Sequence, residues 1–315
     1  MSLSSFLKLV EIQTKLASCI PFLLGNIYAL YHYNQFNFKN FILMFMSLIT
    51  FDMATTAINN YYDYKRAKKT HGYNYETHNA IVKDNLKEGT VIGVILSLLI
   101  AATIFGTLLF LNTNIVVLLL GMVSFLGGIC YSFGPIPISR TPLGEIISGL
   151  LMGFIIVFLS IYIHVGNSLV LFSYSNSMLS ININLIELIY IFMFAIPTVN
   201  CIANIMLANN ICDIEDDKEN ERYTLPIYIG KDKALNLYKV LYYIVYIDII
   251  IMIVLKIVPI VCVITLLTFI LVNKNIKLFY EKQTKKDTFA LAVKNLMIIN
   301  VVQIVAMVVG NLIVK

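Results

Sequence analysis

The chain has 315 residues, 59% of them hydrophobic and only 13% charged, with a mean hydropathy of +0.82. Soluble globular domains are about half apolar and a quarter charged, so this composition excludes a water-soluble protein and places the chain among membrane proteins. The net charge of +5 sits between apolar stretches and not in one basic patch; it speaks of membrane orientation and anionic lipid headgroups, and gives no reason to expect a nucleic-acid partner.

Crossing a hydrocarbon core of about 30 Å takes about 20 apolar residues. Nine stretches come near that length: about 7–32, 40–60, 90–111, 115–133, 145–165, 185–211, 236–256, 259–273 and 291–313. The eighth is the shortest and is expected to run on into 274–279. Backbone polar groups must be satisfied internally in lipid, so all nine are predicted as α-helices; the alternating ten-residue strands of a membrane barrel are absent. The predicted fold is therefore all-α: a polytopic bundle of about nine transmembrane helices around a central cavity, in a single membrane domain spanning 1–315. The N-terminus lacks a basic segment followed by a cleavable apolar one, so no signal peptide is expected.

The connections carry the charge. Of the 23 Lys and Arg, all but Lys39, Lys256 and Lys315 fall on one side of such a bundle, which by the positive-inside rule predicts a cytoplasmic N-terminus and an external C-terminus. Two long cytoplasmic loops, about 63–89 and 213–234, are expected to cap the bundle, and each begins at a carboxylate. A third, 274–294, reads as a basic seam against lipid headgroups. Between the fourth and fifth helices lies YSFGPIPISRTPLGE, whose three prolines bar a regular helix. The stretch 166–184 is a Ser/Asn-rich, uncharged external connection. The five cysteines (Cys19, Cys130, Cys201, Cys212 and Cys262) form no CxxC pair and read as buried, reduced thiols. His71 and His78, in a polar loop without cysteine partners, make an improbable metal site.

Two loop entrances match. NNYYD occupies 59–63 and NNICD occupies 209–213, both Asn-Asn-x-x-Asp, at the same end of apolar helices that cross in the same direction. The second continues as NNICDIEDDKENERYTLPIYIG and adds Asp217 four residues after Asp213. Four-residue spacing puts Asn59 with Asp63, and Asn209 with Asp213 and Asp217, on one helical face. One such group at a helix end is ordinarily a cap or a solvated interface; two copies at equivalent topology point elsewhere. Mg²⁺ favours carboxylates together with phosphate oxygens and rarely takes a closed protein cage, and nearby Lys and Arg clamp the same anion. The pattern reads as a site for a diphosphate carried as its magnesium complex, with an apolar chain entering the bundle below.

These residues resemble the UbiA superfamily of intramembrane prenyltransferases, whose members carry an NDxxDxxxD-like first motif and a DxxxD second motif on nine helices. LVEIQTKLASCIPFLLG at 9–25, TTAINNYYDYKRA at 55–67, YSFGPIPISRTPLGE at 131–145 and the 209–230 segment are most similar to the subgroup that prenylates 1,4-dihydroxy-2-naphthoate in menaquinone biosynthesis. The chain departs from the family pattern at Asn60, where Asp is usual, at Ala67, where the longer first motif ends in Asp, at Cys212, where many relatives have Arg, and at Glu221, where Gly is frequent.

The resemblance implies transfer of a polyprenyl group from polyprenyl diphosphate to an aromatic ring carbon, with dihydroxynaphthoate as acceptor and demethylmenaquinone or its quinol as product. It assigns Mg²⁺ to Asp63, Asp213 and Asp217 with Asn59, and the diphosphate to Lys15, Asn59, Lys65, Arg140, Asn209 and Arg222. Lys15 lies inside the first apolar segment, where a charge is expensive and functional by default; the other reading is snorkelling to the interface. Lys65 serves equally as a positive-inside marker. Tyr131 offers a ring face to an allylic cation, with packing as its alternative. Glu11, Asp52 and Glu145 are ionisable groups in or beside helices, none singled out as a base. The implied setting is the cell membrane, with the site opening to the cytoplasm. Two alternatives remain: the same chemistry on 4-hydroxybenzoate, homogentisate or haem, and a secondary transporter.

Overall fold

The computed structural model describes residues 1–67, 79–175 and 178–314; His71, His78 and the middle of the first expected cap loop lie outside them. The chain opens with α1 (Leu3–Leu9), capped by the Ser2 side chain, which accepts from the Ser5 amide. Glu11 then adopts φ +46°, and a 3₁₀ turn, Ile12–Lys15, leads into α2 (Leu16–Tyr28) and a π-helical turn, Ala29–Tyr33. The first apolar stretch is thus broken at its charged end, and its unbroken helical part starts only at Leu16.

Next come α3 (Phe38–Arg66), the four-residue α4 (Ala80–Lys83), α5 (Glu88–Leu111) and α6 (Ile115–Ser132). The proline-rich segment holds only a 3₁₀ turn, Ile138–Arg140, before α7 (Gly144–Ser148), which passes through a π-helical stretch, Gly149–Ile155, into α8 (Ile156–Val165). The 166–184 connection is not irregular: β1 (Val170–Ser175) and β2 (Met178–Ile183) form an antiparallel hairpin with Val170 opposite Ile183. The helices resume with α9 (Leu185–Cys212), α10 (Ile214–Glu219), α11 (Leu225–Ile229) and α12 (Lys231–Val254). A 3₁₀ stretch, Ile260–Thr268, then runs into α13 (Phe269–Glu281), and α14 (Ala290–Val314) closes the bundle.

Among the described residues eight helices are long and apolar enough to cross a membrane, including the joined Gly144–Val165 and Ile260–Glu281 spans. The shorter α2 with its π-turn makes up the first of the nine apolar stretches and is not among these eight. Side-chain caps set several starts: Asn37, Asn114 and Asn184 accept from the amides of Asn40, Val116 and Glu187. All five cysteines are free, as the sequence suggests, but Cys130 is exposed on the outside of α6 and not buried.

The main core joins α2, α8, α9, α12 and α14. A smaller cluster of Leu9, Ala57, Ile58, Ala80, Ile81, Val91 and Ile95 fastens α1 and α4 over the charged ends of α3 and α5. α6 packs lightly, mainly on α3 and α5, and Leu119, Met122, Val123 and Leu126 along it are exposed.

Without a hydrophobic drive between helices in lipid, close approach depends on small residues. At Gly153 a Cβ would stand 2.5 Å from the Val199 Cα and 2.7 Å from its nitrogen, backbone atoms that have no room to yield. Gly153→Ala is expected to lower stability by about 1–3 kcal/mol. Gly93→Ala, on a helix surface with nothing within 4 Å, is expected to be neutral or stabilising by up to about 1 kcal/mol. Thermal unfolding of the two variants in one detergent checks both.

Candidate active site

A cavity of about 650 Å³ opens at the charged end of the bundle and runs down beside α3, α5 and α6. Its lower walls are apolar, with Met44, Leu48, Phe125, Met152 and Leu159 among them; its mouth carries the charged and amide groups.

α3 supplies the first group. Asn59 and Asp63 lie one turn apart, and Asn59 Nδ2 donates to Asp63 Oδ2 at 3.1 Å while Asn59 Oδ1 accepts from Ser132 Oγ at 2.9 Å. The amide is thereby fixed between α3 and α6. The second group comes from the α9–α10 corner. α9 ends at Cys212, Asp213 forms the joint, and the Asp217 amide donates to the Asp213 carbonyl at 2.7 Å. The four-residue spacing thus survives the change of helix, and Asn209, Asp213 and Asp217 all line the cavity.

One cation spans the two groups. Arg222 Nε stands 3.3 Å from Asp217 Oδ1, and its Nη1 stands 3.8 Å from Asp63 Oδ1. The proline-rich segment holds this arginine in place: Tyr223 N donates to the Arg140 carbonyl at 3.1 Å, Arg140 Nη1 to the Asn220 carbonyl at 3.4 Å, and Arg222 Nη2 to the Ser139 carbonyl at 3.5 Å. Tyr131, the last residue but one of α6, also lines the cavity.

Asp217 is 3% exposed and accepts from Thr224 Oγ1 at 3.1 Å. Burial pushes its carboxyl up to about 6; Arg222 works against that shift and the Asp213 charge adds to it.

Two residues assigned from the resemblance are placed elsewhere. Lys15 is buried, but its Nζ donates to Asp52 Oδ1 at 2.7 Å, to the Asp52 carbonyl at 3.1 Å and to Thr56 Oγ1 at 2.6 Å. It neither lines the cavity nor snorkels; it neutralises Asp52, which does line the cavity and accepts from Ser18 Oγ as well. Lys65 points away from the mouth and pairs with Glu88 at 2.7 Å on an exposed face. Its place at the end of α3, two residues beyond Asp63, turns it from the Asp63 face of the helix.

The departures acquire physical reasons. Asn60 Nδ2 donates to the Leu9 carbonyl at 2.9 Å and to Glu11 Oε1 at 3.2 Å. An aspartate there would set a carboxylate against a carbonyl and a second carboxylate. Glu221 has φ +54°, a left-handed conformation that glycine adopts without strain, so the glycine of the resembled family pattern suits this position. Cys212 packs against the main core outside the cavity lining.

Sequence reasoning missed Asp216 and Lys285, both of which line the mouth. Lys285 Nζ stands 2.6 Å from Asp213 Oδ2, so the 274–294 connection is not only a seam toward lipid. Asp216 was visible in the DIEDD run; nothing in the KKD stretch around Lys285 separates it from its neighbours. Glu145 also gains a role, accepting from Asn210 Nδ2 at 2.8 Å in the buried wall behind Asn209.

The donors are carboxylate and amide oxygens, which suit Mg²⁺. Among the described residues no three or more His, Cys, Asp or Glu gather closely enough to hold a metal by themselves. The facing carboxylates are split across two elements with cations between them, an arrangement that fits a metal completed by a ligand's phosphate oxygens.

A model of the UbiA prenyltransferase family matches residues 18–300. The chain belongs to the UbiA family. It is 30% identical over 239 residues to the 1,4-dihydroxy-2-naphthoate octaprenyltransferase of Bacillus subtilis, covering 76% of this chain and 70% of that one. The fold is similar to that of a UbiA homologue from Aeropyrum pernix K1, with TM-score 0.67, 18% identity, and 92% and 97% of the two chains covered. It is likewise similar to a UbiA homologue from Archaeoglobus fulgidus bound to GPP and Mg²⁺, with TM-score 0.65, 15% identity, and 97% and 99% covered. This UbiA-family chain is accordingly an integral, multi-pass prenyltransferase, and the secondary-transporter alternative is set aside.

Arg222→Ala leaves Asp217 without its shared cation. Because Asp217 titrates near 6, it is ionised at pH 7.5 and largely neutral at pH 5. The variant is expected to lose about 2 kcal/mol at pH 7.5 and clearly less at pH 5. In the unaltered protein the same buried carboxyl binds its proton more tightly folded than unfolded, so its contribution to stability rises as pH falls from about 6 to about 4. Thermal unfolding of both proteins across this range measures the difference.

Proposed function

We propose that this protein transfers a polyprenyl group from polyprenyl diphosphate to 1,4-dihydroxy-2-naphthoate, giving demethylmenaquinol and CO₂ in menaquinone biosynthesis, with Mg²⁺ required. The observation that carries the reading is the convergence of Asp63 with Asp213 and Asp217, cations interleaved, at the polar mouth of an otherwise apolar cavity. The naphthoate acceptor is supported by the Bacillus subtilis relative, and the magnesium diphosphate by the Archaeoglobus homologue bound to GPP and Mg²⁺. The setting is the cell membrane, with the mouth on the cytoplasmic side, where the positive-inside rule puts the Lys- and Arg-rich connections.

In this reading Asp63, Asp213 and Asp217, with Asn59 and Asn209 as neutral oxygen donors, hold Mg²⁺, which supplies charge neutralisation to the departing diphosphate. Arg140 and Arg222 bind the diphosphate oxygens directly, and their fixed loop contacts orient it. The prenyl chain lies along the apolar walls below. The allylic C–O bond breaks with its electron pair going to the diphosphate; the carboxylate-bearing carbon of the electron-rich ring bonds to the allylic carbon, and the carboxylate leaves as CO₂, its bond pair restoring the ring's aromaticity. Tyr131 presents its ring to the allylic carbon as positive charge develops. The roof of α1 and α4 keeps bulk water from that cation. Lys15 contributes indirectly, by holding Asp52 neutralised in the wall.

A competition assay tests the reading. Protein in lipid, with polyprenyl diphosphate and Mg²⁺, receives equal dihydroxynaphthoate and 4-hydroxybenzoate, and mass spectrometry reads the products. Prenylated naphthoquinol is expected, reduced at least about a hundredfold in Asp213→Ala and abolished by EDTA. Prenylated benzoate instead would overturn the acceptor and keep the clamp.

A further inference from the structure

Lys285 lies in the connection between α13 and α14. A nearby lysine there behaves as surface cations do: Lys282 pairs with Asp287 where both are well exposed. Lys285 turns inward, its side chain 22% exposed, onto an Asp213 side chain that is 7% exposed. Removing two charges from water is costly unless each meets its opposite, so this pair satisfies Asp213 in the absence of any ligand. A carboxylate oxygen that accepts an ammonium at 2.6 Å is also one that a metal ion must compete for. The two neighbouring cations differ from it. Arg222 is tied to Asp63, Asp217 and the Ser139 carbonyl, and Arg140 to the Asn220 carbonyl. Lysine is a compact charge on a flexible four-carbon stem that re-aims without backbone movement.

We propose that Lys285 is an exchanging counter-ion. With the cavity empty its ammonium holds Asp213; when a diphosphate arrives with its metal, the ammonium passes to a diphosphate oxygen and releases Asp213 to the metal. This rests on the prenyl diphosphate reading above and adds an order to it. Metal alone is resisted at Asp213, and metal with diphosphate is admitted. No net charge is stranded, because the cation leaving Asp213 is replaced by the metal and is itself met by the anion. Metal and diphosphate binding are thereby coupled, each strengthening the other by the same factor.

The test uses the full chain in lipid nanodiscs, with Mn²⁺ followed by electron paramagnetic resonance and inorganic pyrophosphate by calorimetry. In K285M, Mn²⁺ alone is expected to bind about tenfold more tightly and pyrophosphate in the presence of metal about tenfold more weakly, with pyrophosphate alone little changed, which lowers the coupling about tenfold. K285R keeps the charge and is expected to retain most of the coupling. Thermal unfolding confirms that each variant is folded. Unchanged or weaker Mn²⁺ binding in K285M would overturn the exchange, because the lysine would then be idle or would merely position Asp213. Failure of the unaltered protein to bind pyrophosphate with any metal is a separate result, and it would overturn the diphosphate reading itself.

Discussion

Arg222 stands between two carboxylates that the chain brings from opposite halves, Asp63 at the end of α3 and Asp217 on α10. Like charges at the edge of a low-dielectric bundle repel, and neither motif would hold its place beside the other without a shared cation. The rest of the mouth serves that contact. The prolines between α6 and α7 stop a helix and leave free carbonyls, and the Ser139 and Arg140 carbonyls accept from the 222–223 corner. The α9–α10 break turns Asp217 inward without losing the spacing from Asp213. Packing in the main core, with its backbone-to-backbone contact at Gly153, fixes where α9 delivers both.

Deeper in the wall the same rule recurs with a different partner. Asp52 lines the cavity among apolar neighbours, and Lys15 neutralises it from behind, with Thr56 and Ser18 completing the hydrogen bonds. A buried pair with satisfied donors fixes α2 against α3 beside the cavity. Breaking one half would leave an uncompensated charge, which is far more damaging than never having the pair.

Helix positions were legible because lipid imposes length and polarity so strictly, and the paired motifs were legible because they repeat at four-residue spacing. The break before Leu16 was not, since it depends on Glu11 taking a left-handed conformation that accepts from Asn60. The β1–β2 hairpin was hidden by a Ser/Asn-rich composition that reads as irregular, although its alternation was present. Lys15 stands out in the sequence, but its Asp52 partner does not: burial cost says that a charge must be answered, and not by whom. Lys65 is turned to Glu88 for a simpler reason, helical phase. Lys285 carried no local signal at all; only the folding of the last connection over the mouth reveals it.

The light packing of α6 has a mechanical meaning. Val117, Phe125 and Gly128 line the chamber while Leu119, Val123 and Leu126 on the same helix face outward, so one helix is the whole thickness of that wall. Lipid tails are as apolar as the side chains they touch, and supply no preference for the helix to press inward. The lateral pressure of the bilayer therefore takes part in setting the width of the chamber, and the surrounding membrane acts as an outer wall of the protein.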